Sequence, residues 1–496
     1  MFSYNQKILL GTLITGIILL IYFSDISSFK SYSQVGSVES SSLMPQTETV
    51  TSYYDGLLKT PLIVSQTAVV GIIFSHIFFQ RIIRNHLPQA RDKDSINTGT
   101  LYPLKRLIII LLSCGIAILL SGTSLFLLQV FSLSSELGID VSTTFTILSS
   151  TPVGPVWNIR VITSLIIIAS SIAYYICGRK FSIKKGQTEK KKGVLFNGLL
   201  YTVLIAGAVC IYSNSMVSHN TALYFLPSLA ISLDWLHFMA VSIWLGGLFY
   251  ITTILLTTIG LLIKNNGYTD NHVGGSLDNV HHSSYFLALL LPYFSLIATV
   301  SLGIIGTTGI YMAWIHLHTA EAIFTSSYGN ILAIKLLLIL PMVILGGYHQ
   351  IKLHGSLMAV ASLKKSRLEQ NRKKINLYSM ESSDDRKRDA SPLQYNPSKK
   401  FSKTVRIESL IGIGVLVAAS FLTITSPPSI SLQESVSAQS PISGGEESQQ
   451  DYIPSFDSFT ILAILLSAGI IFGSIIYFRK SKQEVRNTIT YLEGLQ

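Results

Sequence analysis

The chain has 496 residues, 49% of them hydrophobic and only 13% charged, with a formal net charge of +11. An ordinary water-soluble domain carries about a quarter of its residues as charges, so that class is excluded. The basic excess is scattered over connecting segments, which argues against nucleic acid as the partner it serves. Cys114, Cys177 and Cys210 lie within or at the ends of apolar runs without CxxC spacing. They read as small buried residues rather than a disulfide framework or a zinc site. The chain has no Walker-type GxxxxGK[ST] and no dinucleotide glycine fingerprint, so ATP-driven pumping by this chain alone is not expected.

Apolar runs matching the thickness of a bilayer core fall at 8–23, 61–80, 104–128, 153–177, 194–213, 230–260, 285–315, 330–351, 405–426 and 456–478. They predict an all-α, polytopic transmembrane bundle of about ten spans. Lys and Arg gather in 81–106, 179–192, 352–404 and 479–486, whereas 24–60, 129–152, 214–229 and 427–455 are nearly free of them. This is the positive-inside bias. It places both termini in the cytoplasm, the protein in the plasma membrane, and the basic loops against anionic lipid.

In chain order, residues 1–60 read as an uncleaved anchor span followed by a Ser-rich external linker. The second span ends at His76 and a basic run, where a histidine is an ordinary buried or interfacial residue. An external loop with Glu136 and Asp140 leads into Thr151-Pro152-Val153-Gly154 and Arg160. Arg160 therefore sits two turns into the outer half of the fourth span, placed either to snorkel to the headgroups or to serve a site. The fifth span runs outward to Met216-Val217-Ser218-His219-Asn220, with Met216 and His219 on one face if the helix continues.

The sixth span re-enters with Asp234-Trp235-Leu236-His237, then Met239 and Trp244-Leu245-Gly246-Gly247. Asp234, His237 and Trp244 recur at three and seven residues and so share a helix face. The following connection, 264–283, holds His272, His281 and His282 in a Gly/Asn-rich loop without regular spacing. The seventh span carries Gly303, Gly306 and Gly309, small residues that let helices approach, and returns outside at Met312, His316 and His318. The eighth begins at Ser327-Tyr328-Gly329 and carries Lys335 in its outer half. It leaves at His349 and His354 into a basic loop, 356–404, expected to be disordered. Residues 405–496 add two spans around an acidic external loop. With almost nothing ionisable in them, these spans are expected to pack or to bind a partner.

Topology thus brings His219, His237, Met216, Met239, Met312, His316 and His318 to the external ends of their spans, with Arg160, Asp234, Trp244 and Lys335 as supporting groups. Imidazole and thioether together are the ligand set that suits Cu(I), whereas zinc usually takes cysteine or more carboxylates. Asp234 and Lys335 are also expected to pair, because an isolated charge at that depth is costly.

At these residues the chain resembles the copper resistance protein D (CopD) family of integral membrane proteins. The motifs are Asp234-Trp235-Leu236-His237 with Trp244-Leu245-Gly246-Gly247, Phe294-Ser295 with Gly303, Gly306 and Gly309, and Ser327-Tyr328-Gly329 with Lys335. Ser218-His219-Asn220 is similar to the family's Gly-His-Ala step, and Thr151 to Arg160 to its Thr-x-x-Gly…Arg segment. Tyr293 stands where the family commonly has Arg. The resemblance covers 61–355, most specifically 214–355. It implies a non-enzymatic protein that moves copper across the cytoplasmic membrane toward the cytoplasm, served by an external donor of the CopC type. Neither external segment is long enough to hold such a donor's copper-binding β-sandwich. Two other readings stand beside it. One is a redox protein holding haem b between histidines on neighbouring spans. The other is a scaffold subunit whose C-terminal spans join a larger membrane complex.

Overall fold

The computed structural model describes residues 50–86, 104–183, 189–219, 227–258, 275–317, 319, 321–358, 397–428 and 458–493. Every regular element among them is helical. In hydrocarbon no water is present to satisfy backbone N–H and C=O groups, and a helix satisfies them internally. The helices are α1 (Val50–His86), α2 (Leu104–Leu137), α3 (Val141–Ser150), α4 (Val153–Ile183) and α5 (Glu189–Ser215). Next come α6 (Pro227–Tyr250), which runs into a π-helical turn at Ile251–Leu255, and α7 (Gly275–Leu317). The short α8 (Ala322–Thr325) precedes α9 (Ser327–Tyr348), itself followed by a second π turn at His349–Leu353. Two more helices, α10 (Pro397–Leu422) and α11 (Ser458–Glu493), complete the described chain.

Eight of these, α1, α2, α4, α5, α6, α7, α9 and α10, are long and apolar enough to cross a membrane. The protein is therefore an all-α, multi-pass membrane protein. The expected first span at 8–23, and with it the placement of the N-terminus, lies outside the described residues. The expected tenth, at 456–478, falls within α11, which packs along α7.

Several boundaries move relative to the sequence reading. The last part of the 24–60 linker is already helical, because α1 begins at Val50. The loop expected at 129–152 contains α3, started by Asp140, whose carboxylate accepts from Ser142 N at 3.0 Å. The Ser142 hydroxyl and then its backbone N–H hold that carboxyl below the usual range. Helix α7 begins at Gly275, so the 264–283 stretch is not loop to its end and His281 and His282 stand on a helix; His272 lies outside the described residues. Helix α10 begins at Pro397, inside the segment expected to be disordered. Residues 359–396, 429–457 and 220–226 lie outside the described residues.

Helix α1 is the hub, meeting α2, α5, α6 and α10, with its broadest contact on α6. That contact is made backbone to backbone. A Cβ placed on Gly246 would lie 2.5 Å from the Gly71 Cα and 2.7 Å from the Thr67 carbonyl oxygen. The next residue, Gly247, faces the Phe294 ring and Ser75. The Gly-Gly pair thus seats α6 against α1 and α7 at once, with Leu245, Leu248 and Tyr250 buried around it. On α7, Gly303 meets Ser474 and Gly306 meets Ile470 of α11, while Gly309 meets the His237 ring.

Helix ends meet in the alternating manner expected of a membrane bundle. Near the start of α1, Lys59 donates to the Thr423 carbonyl (3.3 Å) and Thr60 pairs with Ser420 (2.6 Å), both beside the end of α10. At the opposite, Lys/Arg-rich end, Ser295 of α7 donates to Gln350 (2.8 Å), just after α9.

Candidate functional site

At the end that the charge bias assigns to the outside, α1, α5, α6, α7, α9 and α10 converge. Helix α5 stops at Ser215; Met216 and Val217 form a turn and His219 lies beyond it. Met216 and His219 therefore do not share a helix face. His219 instead turns toward α7, where its ring stands edge-on to His316, with centroids 6.4 Å apart and planes at 79°. The His316 ring is in turn 6.0 Å from that of Tyr328 on α9.

The His219 ring is oriented by the backbone. It hydrogen-bonds the chain at Thr425, and its Nε2 is buried with no hydrogen-bond partner. The bond to Thr425 must then come from Nδ1–H, which leaves the Nε2 lone pair free for a ligand. Burial, followed by the nearby Lys59 cation, holds the His219 pKa below the usual imidazole value, against the opposing pull of the Thr425 carbonyl. These effects favour the neutral form of the ring.

His237 lies deeper on α6, is 8% exposed, and pairs through Nδ1 with Thr308 Oγ1 at 2.8 Å. Thr308, Met312 and His316 recur every four residues on α7, so they form one stripe. Its inner end touches His237 and its outer end touches His219 and Tyr328, with Met312 between. Met239, two residues from His237, faces elsewhere. It is 7% exposed in an apolar cluster with Val70, Ile211 and Trp235. Trp244 belongs to the main apolar core. His318 lies outside the described residues.

The supporting charges are held inside the bundle. Asp234 is within electrostatic reach of Lys335 and Tyr328 and lies beside Ser215 and Ser218. Lys335 also reaches His237. Arg160 donates from Nε to Ser213 Oγ (3.2 Å) and from Nη2 to Asn214 Oδ1 (3.0 Å), so it turns into the bundle rather than toward headgroups. Asn214 donates to Gln66 Oε1 (2.5 Å), and Gln66 Nε2 reaches the Cys210 carbonyl (3.3 Å) and thiol (3.2 Å). This chain ties α4 to α5 and α1. Asn214→Leu leaves Arg160 and Gln66 without their shared partner, which should cost about 1–3 kcal/mol. A lowered thermal midpoint of the detergent-solubilised protein checks this, and a midpoint equal to that of wild type would show that the chain does not brace the site.

Gly329 shapes the start of α9. Any side chain there would run into α8, 2.5 Å from the Ile323 Cα, and its N–H is capped by Ser326 Oγ at 3.0 Å. The Tyr-Gly step thus fixes Tyr328 against His316. Sequence reading passed over Thr308, Gln66, Asn214 and Lys59. The signal for Gln66 was present, an uncharged polar side chain in the middle of an apolar run, and Lys59 stood just before that run. Among the described residues no three His, Cys, Asp or Glu side chains gather as a metal cluster. A third ligand beside His219 and His316 would have to be a thioether or come from elsewhere.

The family model described as Copper resistance protein D matches residues 288–382. That segment takes in α7 from Ala288, then α8, α9 and the second π turn, and so includes Met312, His316, Tyr328 and Lys335. Arg160, His219, Asp234, His237 and Trp244 lie outside it. No curated protein matches the chain, and no solved structure does. The match supports a copper-related function in a membrane.

Proposed function

We propose that this chain, which resembles the copper resistance protein D family along α7 to α9, captures Cu(I) at its outer end and passes it toward the cytoplasm. The observation that carries this reading is the His219–His316 pair, with the buried His219 Nε2 free of hydrogen bonds. Two imidazoles sharing one ion, each at about 2 Å, set their ring centres about 6 Å apart. The observed 6.4 Å fits that spacing.

Met312 lies next along the α7 stripe and offers a thioether, a donor that favours Cu(I) over harder ions. His237 follows one turn further in, its Nδ1 held by Thr308 so that Nε2 is the nitrogen left to bind. Met216 and His318 are secondary candidates in this reading, and Met239, turned into the apolar cluster, drops out of it. Lys59, Arg160 and Lys335 make the surroundings basic, which favours a singly charged ion on neutral ligands over a divalent one. Asp234 offsets Lys335. With no nucleotide-binding motif, passage is passive or coupled to an ion gradient, and the chain acts as a carrier rather than an enzyme.

In domain terms, residues 61–355 form the copper-handling core, after an N-terminal anchor and before a basic loop and two added C-terminal spans. An external copper-binding donor of the CopC type would deliver the ion. Helices α10 and α11 would extend the core and offer faces to a larger complex.

The test is anaerobic loading of the purified chain with Cu(I), followed by elemental analysis for copper and iron and an absorption spectrum. About one or more coppers per chain is the expected result. Iron with a Soret band and no copper would establish the haem reading instead. Neither metal would overturn both.

A further inference from the structure

Glu408 is an unexpected carboxylate. It is 2% exposed in α10, one of the helices that cross the membrane. It faces His349, 5% exposed, the first residue of the second π turn. Glu408 Oε2 lies 3.3 Å from His349 Nδ1 and has no hydrogen-bond partner. The other ring nitrogen, Nε2, lies 2.7 Å from Thr404 Oγ1.

The Thr404 hydroxyl lies 3.1 Å from the carbonyls of Lys400 and Phe401 and has a single hydrogen. Given to its own helix, that hydrogen leaves the oxygen to accept from His349 Nε2–H; given to the ring, it leaves Nδ1–H facing Glu408. In both arrangements one further proton makes the pair neutral overall, as imidazolium and carboxylate or as imidazole and carboxylic acid. Without it a net negative charge is buried in α10, which is costly.

We propose that His349 and Glu408 form a proton-exchange site at the Lys/Arg-rich, cytoplasmic end of the bundle, giving up one proton as each cation passes and regaining it from solution. The coupling rests on the copper-transport reading; the proton site itself does not. The π turn puts the site at the end of α9, where a backbone irregularity is often functional. Next to it lies a small pocket where Leu291 and Pro292 stand beside Ser295, Gln350, His354 and Glu484.

The ionisable groups around the pair can be named by element. On α10, Lys400 lies 5.4 Å over the Tyr348 ring, while Lys403 and Arg406 are exposed on the other face. On the π turn Lys352 is exposed. His354, just beyond it, approaches Thr488 and Glu484 of α11. Helix α7 offers Ser295 through Gln350, and α1 has its own buried histidine, His76, paired with Gln80. The Phe401 ring covers His349 at 5.3 Å.

The test uses the full chain in two settings. In liposomes holding a pH-sensitive dye, Cu(I) uptake by wild type should drive proton movement. Glu408→Gln and His349→Gln should lose that movement while still binding copper at the outer end. Unchanged proton movement in these variants overturns the coupling without touching the copper reading. In copper-free protein, infrared difference spectra between acid and neutral pH should show a carboxyl band that Glu408→Gln removes. Thr404→Val, which spares both ionisable groups and removes the hydrogen bond at His349 Nε2, should shift the frequency of that band. Absence of any band that responds to these changes overturns the proton site, even if copper never binds.

Discussion

Gly246→Val will leave almost no correctly folded protein in the membrane. The reason is geometric. The new Cβ would fall 2.5 Å from the Gly71 Cα and 2.7 Å from the Thr67 carbonyl oxygen, and neither is a side chain that can swing aside. Added methyl groups in packed interiors typically cost about 1–3 kcal/mol when neighbours can repack. Here relief requires α1 and α6 to separate along the broadest contact in the bundle, so the effect should exceed that range. Separation would also shift Asp234 and His237, which ride on the same helix.

Two comparisons make the argument specific. At Gly247 the added atom meets the flexible edge of Phe294 at 2.9 Å and Ser75 Oγ at 3.2 Å, so Gly247→Ala should be milder. At Gly347 a Cβ meets nothing within 4 Å, so Gly347→Ala should be neutral or slightly stabilising through helix propensity. Monodispersity and thermal midpoints of detergent-extracted variants would rank the three. Gly246→Val behaving like Gly347→Ala would refute the backbone-contact account.

The sequence made the spans legible because a run of apolar residues is a local signal that the bilayer itself enforces. Helices α1, α2, α4, α5, α6, α7, α9 and α10 fall where such runs lie. Capping and contact across helices were less visible. Asp140 caps the start of a helix, its carboxylate accepting from Ser142 N, a detail no hydropathy window carries. Helix α5 ends at Ser215, so the continuation on which a shared face for Met216 and His219 depended is not made.

The candidate site was legible by depth and not by direction. Alternation of the spans places His219, His237, Met312 and His316 at one end. Which of them face one another depends on helix rotation, set by contacts such as Gly309 under the His237 ring and Gly329 against α8. Met239 shows the consequence. It lies at the right depth, but two residues from His237 amount to about half a turn of helix, and its side chain enters an apolar cluster. Glu408 was obscured differently. A single acid in an apolar run registers as a small penalty in a hydropathy average, whereas its partner His349 lies on another helix 59 residues earlier in the chain.

His219→Ala and His316→Ala should each lower Cu(I) affinity by more than about a hundredfold, and together should remove tightly held copper. Loss of groups that only orient a metal ligand typically costs 10–100-fold, and a ligand itself should cost more. Thr308→Val, which touches only the hydrogen bond to His237 Nδ1, should fall in that lower range. Met312→Leu keeps volume and removes the sulfur, so it should weaken copper binding without lowering the thermal midpoint. Competition with a Cu(I) chelator of known affinity measures each effect. The pH profile adds a signature that a structural defect would not give. Protons compete with copper for His219 Nε2, and burial together with Lys59 depresses the pKa of that ring. Copper should therefore stay bound as pH falls through the ordinary imidazole range, near 6.5 for a free side chain, and leave only below it. Release that tracks an unperturbed histidine, or chelator competition indifferent to both substitutions, would place the copper away from the His219–His316 pair.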